Sequence, residues 1–87
     1  MKVTVELTYD MAKLLGLARF DVENARTVAD VLSITRARAG EKGAEFEKHA
    51  RISAVAVNGV LTNHRRGLST ALADGDLVSF LKAAAGG

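Results

Sequence analysis

The 87-residue chain contains no cysteine, no proline and no tryptophan, and only one tyrosine and three phenylalanines. Without cysteine there is no disulfide staple, no thiol nucleophile, no iron–sulfur cluster and no thiolate-ligated zinc. So few aromatic rings make a thin stacking platform for bases, which argues against nucleic acid as a partner. No apolar run approaches the roughly 20 residues of a membrane span. The first residues, Met1-Lys2-Val3-Thr4-Val5, alternate like a strand and do not resemble a signal peptide. The expectation is a cytoplasmic protein with neither nucleic acid nor membrane as partner. His49 and His64 have no ligand spacing to each other or to a carboxylate cluster, so no metal site is expected. Gly40-Glu41-Lys42-Gly43 lacks a full phosphate-loop pattern, and no catalytic triad or general-base constellation is present.

What remains is ordinary globular composition, with 48% apolar and 25% charged residues and a net charge of +2. That fits one small domain. Val3, Val5 and Leu7 alternate with polar residues, the period-two signature of a half-buried strand. Residues 9–15 (YDMAKLL) form a short segment closed by a turn at Gly16. Residues 18–23 alternate again and predict a second strand, antiparallel to the first. Thr27, with Asp30 three residues on, resembles a capping box. Val28, Val31, Leu32 and Thr35 then share one helical face, and Gly40 is a natural stop. Residues 27–39 are therefore an amphipathic helix. Residues 41–50 are polar, with at most a short helical turn anchored by Phe46. Residues 52–57 predict a third strand, and Asn58-Gly59 is a strong hairpin signal because a type I′ turn needs two positive φ angles. Residues 60–62 continue as a short strand. Asp74-Gly75-Asp76 forms a tight turn before a last strand over residues 77–81.

The order strand, strand, helix, strand, short strand, strand predicts an α+β fold. It is a mixed sheet with one main helix packed on one face, the β-grasp arrangement. The last strand should lie beside the first, in parallel. Val78 and Phe80 then face the helix with Val3, Val5 and Leu7, while Leu77, Ser79 and Leu81 face away. Residues 1–81 form the domain, and residues 82–87 a flexible tail. Fully extended, that tail reaches about 20 Å. Beyond Lys82 it holds only alanine and glycine, so nothing larger than a methyl obstructs passage through a narrow channel. It finishes at Gly86-Gly87 with an unhindered carboxylate, an acyl donor once activated.

The β-grasp order, Val57-Asn58-Gly59, residues 72–80 (LADGDLVSF) and Gly86-Gly87 together resemble the ubiquitin-like sulfur carriers of the MoaD/ThiS family. The stretch over residues 67–76 (GLSTALADGD) is also similar to the CysO-type carriers of cysteine synthesis. The resemblance implies that an E1-like enzyme (MoeB/ThiF-like) uses ATP to adenylate the carboxylate of Gly87. The carboxylate then becomes a thiocarboxylate and donates sulfur to an acceptor. In the molybdopterin case the acceptor is the large synthase subunit, MoaE. The chain itself would be a carrier, not an enzyme, and would bind no cofactor. Many MoaD-like tails carry prolines after the last strand, whereas this one reads Lys82-Ala83-Ala84. Acceptors in cysteine, thiamine or secondary-metabolite synthesis stay open, as do a ubiquitin-like protein modifier and a non-covalent binding module. Leu81, at the base of the tail, with Leu61 or Val57 on the open sheet face, is a candidate docking patch. Lys82 adjoins it. Arg65 and Arg66 are candidate contacts to an acidic partner.

Overall fold

The computed structural model describes residues 1–62 and 67–82. β1 (Lys2–Glu6) buries Val3 and Val5 and turns Lys2, Thr4 and Glu6 to the other face. The segment after it is a two-turn helix, α1 (Tyr9–Leu15), rather than an irregular connection. Its ends are closed locally. The Thr8 hydroxyl accepts from the Met11 N–H at 3.2 Å, and Gly16, at φ +81°, donates its N–H to the Ala12 carbonyl. Left-handed φ is the region where glycine avoids the Cβ penalty. Met11 is fully buried and ties α1 to the core. β2 (Arg19–Glu23) returns antiparallel to β1, with Val3 opposite Val22 and Val5 opposite Phe20.

α2 (Val28–Ala39) is the main helix. Its capping box is complete: the Asp30 N–H donates to the Thr27 hydroxyl, and the Thr27 N–H donates back to the Asp30 carboxylate. Val28, Val31 and Thr35 form its buried stripe. The expectation for residues 41–50 is corrected. After a 3-10 turn over Gly40–Lys42 the chain forms a nine-residue helix, α3 (Gly43–Arg51). Phe46 has no solvent exposure. It meets Phe80 edge to face, at 6.1 Å between centroids and 83° between planes, a favoured aromatic geometry. Gly43 lets α3 approach α2, because a Cβ there would sit 3.2 Å from Arg36 Cγ.

β3 (Ser53–Val57) and β4 (Val60–Leu61) form the hairpin, and Asn58 and Gly59 both take positive φ. β5 (Leu77–Lys82) runs one residue further than its alternation predicts. The five strands pair in the order β2-β1-β5-β3-β4. β1 and β5 are parallel, and the other pairs are antiparallel. The β-grasp expectation therefore holds, with β5 in the middle of the sheet.

A polar network fixes where β5 begins. The Asp76 carboxylate accepts from the Asn58 side-chain amide at 2.9 Å and from the Ala73 N–H at 2.8 Å. The Asn58 amide oxygen accepts from the Leu77 N–H. Asp74 accepts from the Lys2 N–H, and the Gly75 N–H donates to the Lys2 carbonyl. One tight turn thus joins β1, β5 and the β3–β4 hairpin. Asp76→Ala removes two acceptors at once. It should lower stability by about 1–2 kcal/mol, read as a lower denaturant midpoint with an unchanged slope.

Among the described residues, Thr35 Oγ1 is the one buried side-chain oxygen without a hydrogen-bond partner. Thr35→Val keeps the shape and removes the desolvated hydroxyl. It should stabilise the fold by about 1 kcal/mol, raising the melting temperature by about 4–8 °C in a domain of this size.

Candidate functional site

β5, the strand that leads into the tail, is held on both sides at its start and by β3 at its end. At its start β5 pairs with β1, from Thr4 opposite Leu77 to Glu6 opposite Ser79. On its other flank it pairs with β3 along its length, from Val57 opposite Val78 to Ser53 opposite Lys82. Leu81 lies opposite Ala54. The last residues before the tail therefore sit in a ladder, not in a loop. The base is secured further where the Ser53 hydroxyl donates to the His49 carbonyl at 2.7 Å, tying β3 to α3.

Register also decides which side chains share the open face of the sheet. Directly paired residues project to the same side. Val78 and Phe80 are buried, so their partners Val57 and Val55 face the core as well. Val57 is thus not part of an open-face patch, contrary to the expectation from sequence. Leu81 is on the open face at 43% exposure, with Ala54 beside it. Leu61 joins that face through Ala56, which is its partner and also that of Ser79. Lys82 projects to the opposite side. There it lines a small crevice with Thr8, Asp10, His49, Ile52 and Ser53. Arg65, Arg66, Gly86 and Gly87 lie outside the described residues.

The open face has two halves of different character. On β1 and β2 four of the charged side chains form two ion pairs. Arg19 contacts Glu6 at 3.0 Å, Lys2 lies 3.8 Å from Asp21, and the Thr4 hydroxyl donates to Asp21. The Ser79 hydroxyl donates to Glu6 and closes this network at its border with β5. On β5, β3 and β4 the same face carries Leu77, Leu81, Ala54 and Leu61, with Ala56 beneath them at 3% exposure. The two alanines are floor residues that the sequence analysis missed. The signal was there, because β3 reads SAVAV with valines at alternate positions, but only register says that the alanine side faces outward. An exposed apolar residue beside Lys82 was also missed, Ile52.

The described residues include no group of three or more His, Asp or Glu placed to hold a metal. No helix among them is long and apolar enough to cross a membrane.

A sheet in this order, with a main helix across one face and an apolar half-face on the other, defines a ubiquitin-like β-grasp protein. The profile of the ThiS family matches residues 10–87, and the chain belongs to that family. Its fold is similar to a chain of the BexX/CysO complex of Amycolatopsis orientalis, at 29% identity and a TM-score of 0.71, covering 98% of this chain and 99% of that one. It is also similar to a chain of the complex of subunits 1 and 2 of the Helicobacter pylori molybdopterin-converting factor. There the identity is 24% and the TM-score 0.68, with full coverage of both chains. The small archaeal modifier protein 1 of Methanosarcina acetivorans superposes with a TM-score of 0.75 at 22% identity, covering 99% of this chain and 96% of that one. No curated protein matches the chain.

Two neighbouring residues test the assignment of faces. Leu81→Asp, on the open face, should leave the unfolding midpoint within about 1 kcal/mol of the parent. Phe80→Asp, on the core face at 3% exposure, should abolish cooperative unfolding, because it buries an unpaired charge.

Proposed function

We propose that this chain is a sulfur carrier whose working group is the carboxylate of Gly87. The observation that carries this reading is its place in the ThiS family across residues 10–87, together with a tail that follows directly from the central strand of the sheet. In the proposed cycle an E1-like enzyme of the MoeB/ThiF type binds ATP, which this chain does not hold. A Gly87 carboxylate oxygen attacks the α-phosphorus, pyrophosphate leaves, and an acyl-adenylate forms. A sulfide-level donor then attacks the acyl carbon, AMP departs, and Gly87 carries a thiocarboxylate. Gly87 has no Cβ beside its acyl carbon, so that carbon stays open to the nucleophile, and Gly86 gives the residue before it the same slenderness. Docking of Leu81, Leu61 and the alanine floor on an acceptor enzyme delivers the tail to its active site, with Arg65 and Arg66 proposed as charged contacts and Lys82 as a contact from the other side of the sheet. All of this takes place in the cytoplasm.

The acceptor we propose first is the large subunit of a molybdopterin synthase, MoaE, with this chain as the small subunit. The similarity to a molybdopterin-converting factor subunit seen in complex with its partner supports that choice. A second acceptor class, in cysteine or secondary-metabolite synthesis, is favoured by the higher identity to a chain of the BexX/CysO complex. Likeness to a small archaeal modifier protein keeps conjugation to lysine as a further outcome.

Intact mass spectrometry after incubation with an E1-like enzyme, ATP and sulfide tests the cycle. The expected result is a mass gain equal to one oxygen replaced by sulfur, lost when Gly87 is deleted. Leu81→Asp should still fold but transfer sulfur to its acceptor roughly tenfold more slowly, the scale of one buried anchor at an interface. An unchanged mass with an enzyme that loads a control carrier would remove the carrier reading. A ladder of covalent adducts in cell extract would move it to protein modification.

A further inference from the structure

The helix side of the molecule has a feature that acyl transfer does not use. A half-open groove of about 420 Å³ runs between α2 and α3. Its floor is apolar, built by Leu32 and Ala50 over the buried Phe46, and Leu68 forms one wall. Leu68 sits on a 3-10 turn over Gly67–Ser69 and is 56% exposed, so a large aliphatic side chain faces the groove without cover. A shallower depression of about 190 Å³ shares Leu32, Ala50 and Leu68 and continues the apolar lane toward Val28 and Val55.

One end of the groove is cationic. Arg36 Nε lies 2.6 Å from one oxygen of Glu47. A terminal nitrogen of Arg51 lies 3.8 Å from the other, too far for a hydrogen bond. One carboxylate therefore serves two guanidinium groups, each with five donors. The surplus positive charge sits beside the apolar floor, on side chains that are 53% and 76% exposed.

We propose that this groove docks an extended acidic–apolar peptide segment of a partner protein. A carboxylate side chain of the segment meets Arg36 and Arg51, and neighbouring aliphatic side chains lie along Leu32, Ala50 and Leu68. A bare inorganic anion would leave the floor unused. A fatty acid would leave part of its alkyl chain in water, because the groove is open to solvent. A peptide fills such a groove and turns its own backbone to solvent, and bidentate arginine–carboxylate contacts set its register. The groove is on the core side of the sheet, whereas Leu81 and Leu61 are on the open side. Both surfaces can be engaged at once, and the proposal does not depend on the chemistry of the tail.

The test is a display library of random peptides panned on the immobilised full chain, with counter-selection on the Arg51→Gln, Leu68→Glu double variant. Both changes are at exposed positions, and thermal melting verifies that the variant is folded. The expected result is enrichment of sequences that place Asp or Glu beside Leu, Ile or Phe. These peptides should bind the parent roughly tenfold more tightly than the variant, a difference of about 1.4 kcal/mol. Their amide shifts should fall on Leu32, Arg36, Ala50 and Leu68, and binding should survive Leu81→Asp. Absence of enrichment over the counter-selected pool would overturn the proposal. So would selected peptides that lack acids, or shifts that map to Ala54, Leu61 and Leu81.

Discussion

β5 comes last among the strands in sequence and lies in the middle of the sheet in space, and the rest of the structure follows from keeping it there. Val78 and Phe80 fill the space beneath the helices, and Phe46 of α3 closes on Phe80 edge-on. Without that aromatic contact α3 would have one buried glycine and no large anchor. Asp74, Asp76 and Asn58 then hold the start of the strand against β1 and the hairpin. Hydrophobic burial provides most of the stabilisation, and these directional bonds select the register in which it is obtained.

Register has a functional result. Because side chains alternate, the placement that buries Val78 and Phe80 also puts Leu81 on the open face and Lys82 on the other side. β3 matches it, with valines inward and alanines outward. The open face is left with a charged half in which Arg19 pairs with Glu6 and Lys2 with Asp21, and an apolar half beside it. The second half is the one beside the tail. An incoming protein can dehydrate it without stripping water from any charge, which keeps the cost of docking low.

Most of this was legible in the sequence, and the misses have physical causes. β1, α2 with its Thr27–Asp30 box, the Asn58-Gly59 turn and β5 all rest on local rules: alternation, helical spacing, side-chain caps and positive φ. α1 has seven residues, too few for helical periodicity to separate from a turn, and Thr8 as its cap was the available signal. α3 was obscured because its buried side rests on Gly43 and Phe46 within an otherwise charged stretch. The error over Val57 is of another kind. Alternation tells which residues share a face but not which face it is, and only pairing with Val78 resolves that. The tail lies outside the described residues, so its role rests on sequence and family alone.

The parallel pairing of β1 with β5 also has a consequence for how the molecule comes into being. Glu6 and Ser79 are bonded across 73 positions of chain, so the central contact of the sheet is among the most distant in sequence. Such topology carries a high loop-closure cost before any reward and slows folding relative to helical proteins of equal size. On the ribosome β1 and β2 can pair early, but β5, the other neighbour of β1, does not exist until residues 77–82 have been made. The domain therefore matures only after β5 has emerged, so a nascent chain stalled before that strand has no finished sheet to display.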